Sequence, residues 1–217
     1  MKKIISFCII GILVVIMATG LYSEEKKLAD IQLPQVSEKI ETTLLTALKN
    51  RKSTRDFKKE HITLENLSAI LWAGLGINRE NGKRTIPIAM EKDFLKLYVY
   101  SNEGLYLYIP AKNLLKQISH ENSKSKIVKQ SSAADADYII LITAETSKLP
   151  FYLKKEQKET MAHANSGCIA QSIYLMSSAL NLGTCMMAYF DEKGINESLT
   201  LNKNEIPLYI MPVGIIK

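Results

Sequence analysis

Arg51-Lys52-Ser53-Thr54-Arg55-Asp56-Phe57 is the stretch from which the rest of the chain can be understood. It follows a helical pattern and places three cations and two hydroxyl groups within five residues. Arginine offers a planar fork of donors, lysine a compact charge, and serine or threonine a short hydroxyl donor, so the stretch can surround a phosphate. A solvated basic turn explains the same residues, because cations are favoured where a helix ends and charge runs are usually surface.

Helical patterns lie on both sides of this basic stretch. Ser37 can cap a helix whose apolar residues, from Ile40 to Leu48, fall on one face, and that helix leads into the stretch. Thr63 can cap a second helix, which Gly74 and Gly76 would end. The pattern therefore predicts two helices separated by the basic turn.

The middle of the chain predicts strands around a less regular segment. Leu95 to Tyr100 and Leu105 to Ile109 alternate as strands of a hairpin do. Tyr138 to Thr143 is almost continuously apolar, which is typical of a buried central strand. Asn113 to Val128 is rich in lysine and predicts only short helical pieces. Such a segment could act as a mobile cover.

A long helix is predicted from Met161 to Leu182, with apolar and small residues on more than one face. A helix that is apolar all round is buried, and in a chain of this size that predicts a surface shared with a second subunit. Beyond it, Cys185 to Phe190 and Tyr209 to Ile216 predict two more apolar strands. Strands with long helices between and around them predict an α+β sandwich.

The amino end differs from the rest of the chain. Lys2 and Lys3 precede an uncharged apolar run from Ile4 to Ala18, and small residues follow before Glu24. This pattern predicts a secretory signal peptide, and therefore an exported protein in the periplasm or cell envelope. An uncleaved anchor is the alternative, and only then would the membrane be a partner, because the uncharged run from Ile4 to Leu21 has 18 residues, within the range of about 17–25 for a spanning helix.

Composition limits the remaining function classes. The chain has 217 residues, of which 47% are hydrophobic and 23% charged, so one domain with a real core is expected. The organisation predicted is a signal peptide over 1–23, a linker over 24–36 and a domain over 37–217. The formal net charge is +6, but no long basic tract interleaved with aromatic residues indicates a nucleic-acid partner.

Cysteine and histidine spacing predicts neither a metal site nor an internal disulfide. Cys168 and Cys185 lie near opposite ends of the predicted long helix, too far apart to bridge. No CxxC pair or histidine cluster is present in the sequence. No residue can be named with certainty as catalytic, so an enzyme built from this chain would depend on a cofactor.

The order of several motifs resembles the FMN-dependent nitroreductase family. The basic stretch resembles the family's opening, and the residues from Asn165 to Leu175 look like its central helix. Asn181-Leu182-Gly183-Thr184 and then Phe190-Asp191 follow at the family's spacing. The segment from Lys83 to Met90 is similar to the "RTxPSA" segment of the SagB-like branch, which is of the thiazole/oxazole dehydrogenase type.

The resemblance covers roughly residues 37–217 and implies fold and function together. The implied fold is nitroreductase-like α+β, with a central mixed or antiparallel sheet flanked by helices and a long buried helix at a homodimer interface. The implied activity is transfer of hydride or electron pairs through bound FMN, in a ping-pong cycle, to or from a small-molecule substrate. The substrate and the electron donor stay open. Two alternatives are a non-catalytic flavin or small-ligand binder on the same fold and a structural dimer with an empty pocket.

The resemblance also assigns residues to each part of the flavin. Phosphate, ribityl and pyrimidine contacts would come from Arg51, Lys52, Ser53 and Arg55, with further cations from Arg84 and Lys217. One side of the ring would be lined by Pro87, Ile88, Ala89, Met90 and Glu91. The other side would be covered by Met186, Met187, Ala188 and Tyr189, with Gln171 nearby on the central helix. The N–H groups of Ala188 and Tyr189 would lie near N5 and O4 of the flavin.

Several positions depart from the family pattern. Ile88 stands where the family usually has serine, Glu91 where it has asparagine, and Asp93 where it often has glutamine. The acidic-glycine pair common before Phe-Asp is Ala188-Tyr189. The Glu91 charge would disfavour an anionic reduced flavin by repulsion, and Tyr189 would occupy part of the substrate space. These departures predict weaker FMN binding and altered or reduced activity.

Overall fold

The structure, a computed structural model, describes residues 27–217, and the predicted signal segment lies outside the described residues. Twelve helices and strands carry the fold in this part of the chain. In order they are β1 (Ile31–Gln32), α1 (Leu44–Asn50), α2 (Leu64–Leu75), β2 (Leu95–Tyr100), β3 (Leu105–Ile109), β4 (Leu114–Ser119), α3 (Lys124–Ile127), β5 (Tyr138–Glu145), α4 (Lys155–Ala179), β6 (Leu182–Thr184), α5 (Glu192–Ser198) and β7 (Glu205–Ile215).

The strands form one seven-stranded sheet in the order β1-β4-β3-β2-β5-β7-β6, with every neighbouring pair antiparallel. The hairpin predicted for β2 and β3 is confirmed, and β5 is the buried central strand that its apolar run predicts. Alternate side chains of β5 point to opposite faces, as the strand period of two requires. Ile140 and Ile142 join the core on one face, whereas Ile139 and Leu141 join the core on the other.

Helices cover both faces of this sheet. Ile70 of α2 and Ile169 of α4 belong to the first core, and Ile127 of α3 and Ile195 of α5 belong to the second. The predicted α+β sandwich is therefore confirmed, with an antiparallel sheet between helical layers. The long helix is also confirmed, and it spans Lys155–Ala179.

Close packing of α2 on α4 explains one glycine. A Cβ on Gly74 would lie 3.0 Å from a side-chain carbon of Ile173, so the two helices approach where this side chain is missing. Gly74 is therefore inside α2 and does not end it. The helix begins after Thr63, whose hydroxyl accepts from the Asn66 N–H as predicted, and ends where the Gly76 N–H donates to the Trp72 carbonyl.

Two predicted segments near the amino end are wrong in part. The first helix begins at Leu44 rather than at Ser37, because the Thr43 hydroxyl accepts from the Thr46 N–H and caps it there. The described part of the predicted linker contains β1, in which Ile31 pairs with Leu115. This segment is part of the sheet because an edge strand needs only a partner with free backbone groups.

Two other segments differ from the prediction in their strands. The lysine-rich stretch from Asn113 to Val128 contains β4, and only its later part is helical. The strand expected from Cys185 to Phe190 is displaced, because β6 already ends at Thr184. Beyond β6, Met187 keeps a single bridge to Ile210. The chain leaves the sheet at this point and exposes the residues that follow.

One side of α4 lacks a covering layer within the described chain. His163, Ala164 and Gln171 are exposed, and a Cβ placed on Gly167 would meet nothing within 4 Å. The opposite side of the helix is buried against α2 and the sheet. Within residues 27–217, no helix is long and apolar enough to cross a membrane.

Candidate functional site

The basic stretch lies along the edge of the sheet, beside the end of β7 and next to β6. The Thr54 N–H donates to the Thr184 carbonyl at 2.9 Å, and a Cβ on Gly183 would approach Thr54 within 2.9 Å. The Lys217 N–H donates to the Asp56 carbonyl at 3.4 Å. The structure therefore brings Lys217 beside the stretch from Arg51 to Arg55, although more than 150 residues separate them in the chain.

A short chain of hydroxyl groups connects this stretch to α4 and to Met186. The Met186 N–H donates to the Tyr174 hydroxyl oxygen at 2.7 Å, and that oxygen lies 3.0 Å from Ser53 Oγ. Tyr174 can then donate its proton to Ser53, which leaves the Ser53 proton available for a ligand oxygen. The Arg51 guanidinium lies over the same tyrosine ring, 5.2 Å from its centre. Tyr174 thus holds Arg51, Ser53 and Met186 together.

A cavity of about 280 Å³ opens beside the basic stretch, and Lys52, Thr54 and Thr184 are among the residues that line it. Thr184 is 2% exposed, and its hydroxyl has no hydrogen-bond partner among the described residues. A buried hydroxyl left unpaired costs about 1–3 kcal/mol. Thr184 therefore brings an unsatisfied polar group to the wall of this cavity.

The cations of the basic stretch and Lys217, of which Lys52 lines this cavity, carry no internal counter-ions. In residues 27–217, Arg51, Lys52, Arg55 and Lys217 form no ion pair with a carboxylate. Free guanidinium and ammonium groups beside hydroxyl donors are the set that proteins use for phosphate. The residues present therefore fit a phosphate-bearing cofactor.

The segment from Pro87 to Glu91 is fixed at a different point on α4, by Asn165. Asn165 is 8% exposed, its side-chain oxygen accepts from the Ala89 N–H at 2.8 Å, and its side-chain nitrogen donates to the Pro87 carbonyl at 3.3 Å. Both halves of the amide are used, so the segment is held in one orientation. Ile88, between these two contacts, packs against the core.

The same segment contains two residues in the left-handed backbone region. Met90 has φ 55° and Glu91 has φ 54°. This region costs residues other than glycine roughly 1–2 kcal/mol each. The Glu91 carboxylate lies 2.8 Å from Lys83 Nζ, and this hydrogen bond to Lys83 holds the pKa of Glu91 below its usual range.

Arg84 lies in this second region rather than beside the basic stretch. Its guanidinium donates to the Leu75 carbonyl at the end of α2 at 3.1 Å and to the Asp93 carboxylate at 2.5 Å. It lines a cavity of about 570 Å³, together with Pro87 and Glu91. Two of its donors thus hold α2 and Asp93, whereas the resemblance gave it the role of reinforcing the phosphate contacts.

The residues after β6 divide between the core and the surface. Met187 is 6% exposed and belongs to the core on the α3 and α5 side, and its backbone N–H and carbonyl both pair with Ile210. Ala188 and Tyr189 are exposed, with Tyr189 at 70%. No hydrogen bond in the described part of the chain uses the N–H of Ala188 or Tyr189. These two donors are available to a ligand, whereas the Met187 side chain is not.

The two halves of the predicted site lie apart in a single chain. Asn165 and Tyr174 are nine residues apart on α4, which separates them by about 13 Å along the axis and about half a turn around it. Gln171 is exposed on the helix between them. The Pro87–Glu91 segment and the basic stretch therefore contact α4 on opposite sides.

Sequence reasoning gave Asn165 and Tyr174 no role of their own, although both lie in the motif that resembles a central helix. Asn165 is a polar residue on the buried side of a helix, and such residues are usually hydrogen-bonded. That rule could have flagged it, but not its partners. Nothing in the sequence distinguishes Tyr174 from an ordinary core tyrosine.

Comparison with known proteins identifies the family of the chain. A sequence model described as the nitroreductase family matches residues 48–215. "Putative nitroreductase MJ1384" of Methanocaldococcus jannaschii is 32% identical over 197 residues, which covers 85% of this chain and 96% of that protein. The chain belongs to the nitroreductase family.

Solved structures place this nitroreductase-family protein among nitroreductase folds. The crystal structure of a protein from Ralstonia eutropha JMP134, described as a "putative nitroreductase", has a TM-score of 0.77 at 25% identity. The match covers 87% of this chain and 90% of that chain. A chain of the Escherichia coli microcin synthetase McbBCD complex has a TM-score of 0.66 at 14% identity, covering 95% and 85%. The second likeness concerns the fold alone.

Family membership makes this protein a nitroreductase-family oxidoreductase with the nitroreductase-like α+β fold. Members of the family typically bind flavin, and the donor set around the smaller cavity fits a flavin phosphate. The nitroreductase-family match begins at residue 48, so it includes the basic stretch and every other residue assigned to the flavin except Lys217.

Proposed function

We propose that this protein is an FMN-dependent oxidoreductase that works as a homodimer on a small-molecule substrate. One observation carries the proposal: Arg51, Lys52, Arg55 and Lys217 form no ion pair with a carboxylate in the described chain, and Lys52 lines a cavity together with Thr184, whose buried hydroxyl is unpaired. Arg51, Lys52 and Arg55 would hold the FMN phosphate, and Ser53 would donate its free proton to an FMN oxygen. When bound, FMN would supply a ring that accepts and releases hydride.

The homodimer is supported by the separation of the two halves of the site. The basic stretch and the Pro87–Glu91 segment contact opposite sides of α4, so one chain does not enclose a flavin between them. A second copy packed on the open side of α4, at Ala164, Gly167 and Gln171, would bring its own Pro87–Glu91 segment toward the first copy's basic stretch. Flavin binding and dimerisation would then be linked by mass action.

The branch of the family is a finer proposal. The Lys83–Met90 segment is similar to the "RTxPSA" segment of the SagB-like, thiazole/oxazole dehydrogenase-type branch. The fold likeness to the McbBCD chain is consistent with that branch, although its 14% identity supports the fold alone. Ile88 and Glu91 replace the residues usual in this segment, so we expect a slow or narrow enzyme rather than a broad one.

The test is an absorbance spectrum of the purified protein combined with light scattering. We expect a yellow protein with one FMN per chain, a mass of two chains, and a flavin that dithionite bleaches. A colourless protein that takes up no added FMN would overturn the proposal, as would a monomer that holds FMN firmly. A flavin that bleaches but is never reoxidised by quinones or nitroaromatics would favour the non-catalytic binder.

Export is a separate proposal that rests on the amino end of the sequence. The charged start and the apolar run from Ile4 to Ala18 support removal of residues 1–23. Mass spectrometry of the native protein should then find a chain that starts near Glu24 in the periplasmic or envelope fraction. A chain that still carries Met1 in the membrane fraction would support the uncleaved anchor instead.

A further inference from the structure

The larger cavity has features that the flavin assignment leaves unused. Its volume is about 570 Å³, which falls within the range of about 300–1,000 Å³ for small-molecule sites. Ile86, Pro87 and Ile88 supply an apolar part of its lining, and charged side chains supply the rest. An apolar lining with a few convergent polar groups is typical of a site for a small organic molecule.

The charged part of the lining is unbalanced. Four cations and two carboxylates line the cavity, namely Arg79, Lys83, Arg84 and Lys92 with Glu91 and Asp93. Lys83 pairs with Glu91, and Arg84 pairs with Asp93. Neither Arg79 nor Lys92 pairs with a carboxylate anywhere in residues 27–217. The cavity therefore keeps an excess of positive charge that its own side chains do not compensate.

Arg79 is held in place without being neutralised. Its Nε donates to the Asn78 side-chain oxygen at 3.0 Å, and one terminal nitrogen donates to the Arg84 carbonyl at 2.6 Å. Both acceptors are neutral, so the guanidinium keeps its full charge. A guanidinium has five N–H donors, and those that remain can bind an anion.

The Lys83–Glu91 pair shows how an anion would be bound in this cavity. The Glu91 carboxylate lies 2.8 Å from Lys83 Nζ, and its side chain is 75% exposed. The Lys83 hydrogen bond lowers the pKa of Glu91, so Lys83 favours a charged carboxylate at this position. The pair itself is weak because water and salt screen it. A carboxylate on a ligand can therefore take the place of Glu91.

We propose that this cavity takes the carboxylate end of a small organic acid, with Arg79 and Lys83 as its recognition residues. The apolar residues Pro87 and Ile88 contact the remainder of the molecule. The inference rests on the proposed function, because the Pro87–Glu91 segment is the one expected beside the flavin, and it assigns the substrate to the class of anionic organic molecules.

The experiment compares two probes of nearly the same shape, one charged and one neutral. FMN-loaded homodimer is titrated with 4-nitrobenzoate and with 4-nitrobenzamide, and flavin absorbance reports the dissociation constant of each. We expect the anion to bind about tenfold more tightly, which corresponds to one retained charge-assisted contact. Added sodium chloride should weaken binding of the anion and leave binding of the amide unchanged, because salt screens exposed charges.

Variants identify the residues that distinguish the charged probe from the neutral one. Arg79→Gln and Lys83→Gln should each remove most of the preference for 4-nitrobenzoate while keeping the affinity for 4-nitrobenzamide. Lys203→Gln removes an exposed cation from the loop before β7, outside this cavity, and should keep the preference. Equal affinity of the parent for both probes overturns the inference, as does a variant that loses both probes alike.

Failure of the proposed function gives a different result from failure of this inference. Protein that takes up no FMN contradicts the function, and calorimetric titration of that flavin-free protein with 4-nitrobenzoate then tests the cavity by itself. Binding that both variants weaken supports the inference, and the absence of binding overturns it. Protein that binds FMN and shows no preference for the anion contradicts the inference alone.

Discussion

The two basic regions of this protein differ in how their charges are compensated. At the basic stretch, Arg51, Lys52 and Arg55 have no carboxylate partner among the described residues. In the loop from Arg79 to Asp93, Lys83 and Arg84 are each paired with a carboxylate of the same loop, and only Arg79 and Lys92 are left without one in the described chain. A cation without a counter-ion binds an anion directly, whereas a paired cation must first exchange its partner. The first region should therefore control affinity for FMN, and the second should control discrimination among ligands.

The largest expected effect comes from removing a cation of the basic stretch. Arg51→Ala and Arg55→Ala should each remove a charge-assisted contact worth about 1.5–3 kcal/mol, which weakens FMN binding roughly 10- to 150-fold. The measurement is a fluorescence titration of flavin-free protein with FMN. Lys49→Ala is the matched control, because it removes an exposed cation from the end of α1, just before the stretch.

The same titration can contradict the comparison. If both arginine variants bind FMN as the parent does, the basic stretch is only a solvated turn. If Lys83→Gln weakens FMN binding as much as Arg51→Ala does, the two regions act together and the division between them is wrong.

A smaller effect, on stability, is expected from the hydrogen bonds that join the second region to α4. Asn165→Ala leaves the Ala89 N–H and the Pro87 carbonyl without their partner, which should lower the free energy of unfolding by about 1–3 kcal/mol. Urea denaturation at neutral pH measures this loss. Lys155→Ala, at an exposed position in the first turn of the same helix and away from its open side, should change stability by less than about 0.5 kcal/mol. Equal losses in the two variants would show that the Asn165 contacts contribute nothing specific.

Glycine at position 90 should relieve the cost of the left-handed backbone there. The gain in stability should be about the cost of one residue in that conformation. Met90→Gly should be more stable than Met90→Ala by about 1 kcal/mol, because glycine occupies φ 55° without the Cβ clash. Thermal denaturation of the two variants measures the difference. Lys92→Gly is the control, because Lys92 has an ordinary φ of −93° and glycine there should only lower stability. An alanine variant as stable as the glycine variant would mean that position 90 carries no strain.

The smallest effect concerns the exposed pair of Lys83 and Glu91. The pKa of Glu91 lies below its ordinary value of 4.5, mainly because Lys83 donates a hydrogen bond to it. The contribution of this pair is therefore present above about pH 4.5 and is lost as the pH falls through the lowered pKa. Lys83→Gln should raise the Glu91 pKa toward 4.5 in an NMR titration of the carboxyl group. An unchanged pKa would show that the pair does not persist in solution.

The strands predicted correctly are those whose own residues determine their burial. In β2, β3 and β5 the alternation or the continuous apolar run follows directly from the faces that are covered. β4 was missed because Lys116 is exposed and Gln117 is buried as a polar residue that bonds to Tyr106 and His120. Such a strand does not alternate in hydrophobicity, and only its partners make it a strand.

The sequence predicts the part of the candidate site whose residues are adjacent in the chain. Residues 51–55 supply cations and hydroxyls in one stretch, and their composition alone indicates an anion. The approach of Lys217 to that stretch depends on the register of β6 and β7, which no local pattern reports. The assignment of Met187 to the flavin came from resemblance alone, whereas its burial follows from its bridge to Ile210.

The position of β5 in the sheet has a consequence for how the chain is made. One neighbour of β5 is β2, which is synthesised before it, but the other is β7, which follows only after the 25-residue helix α4. Until β7 leaves the ribosome, the apolar stretch from Tyr138 to Thr143 has one unpaired edge, and exposed edges of this kind drive aggregation of partly folded chains. Production of this protein should therefore gain from slow expression at low temperature, and a C-terminal deletion that removes β7 should collect in inclusion bodies rather than in the soluble fraction.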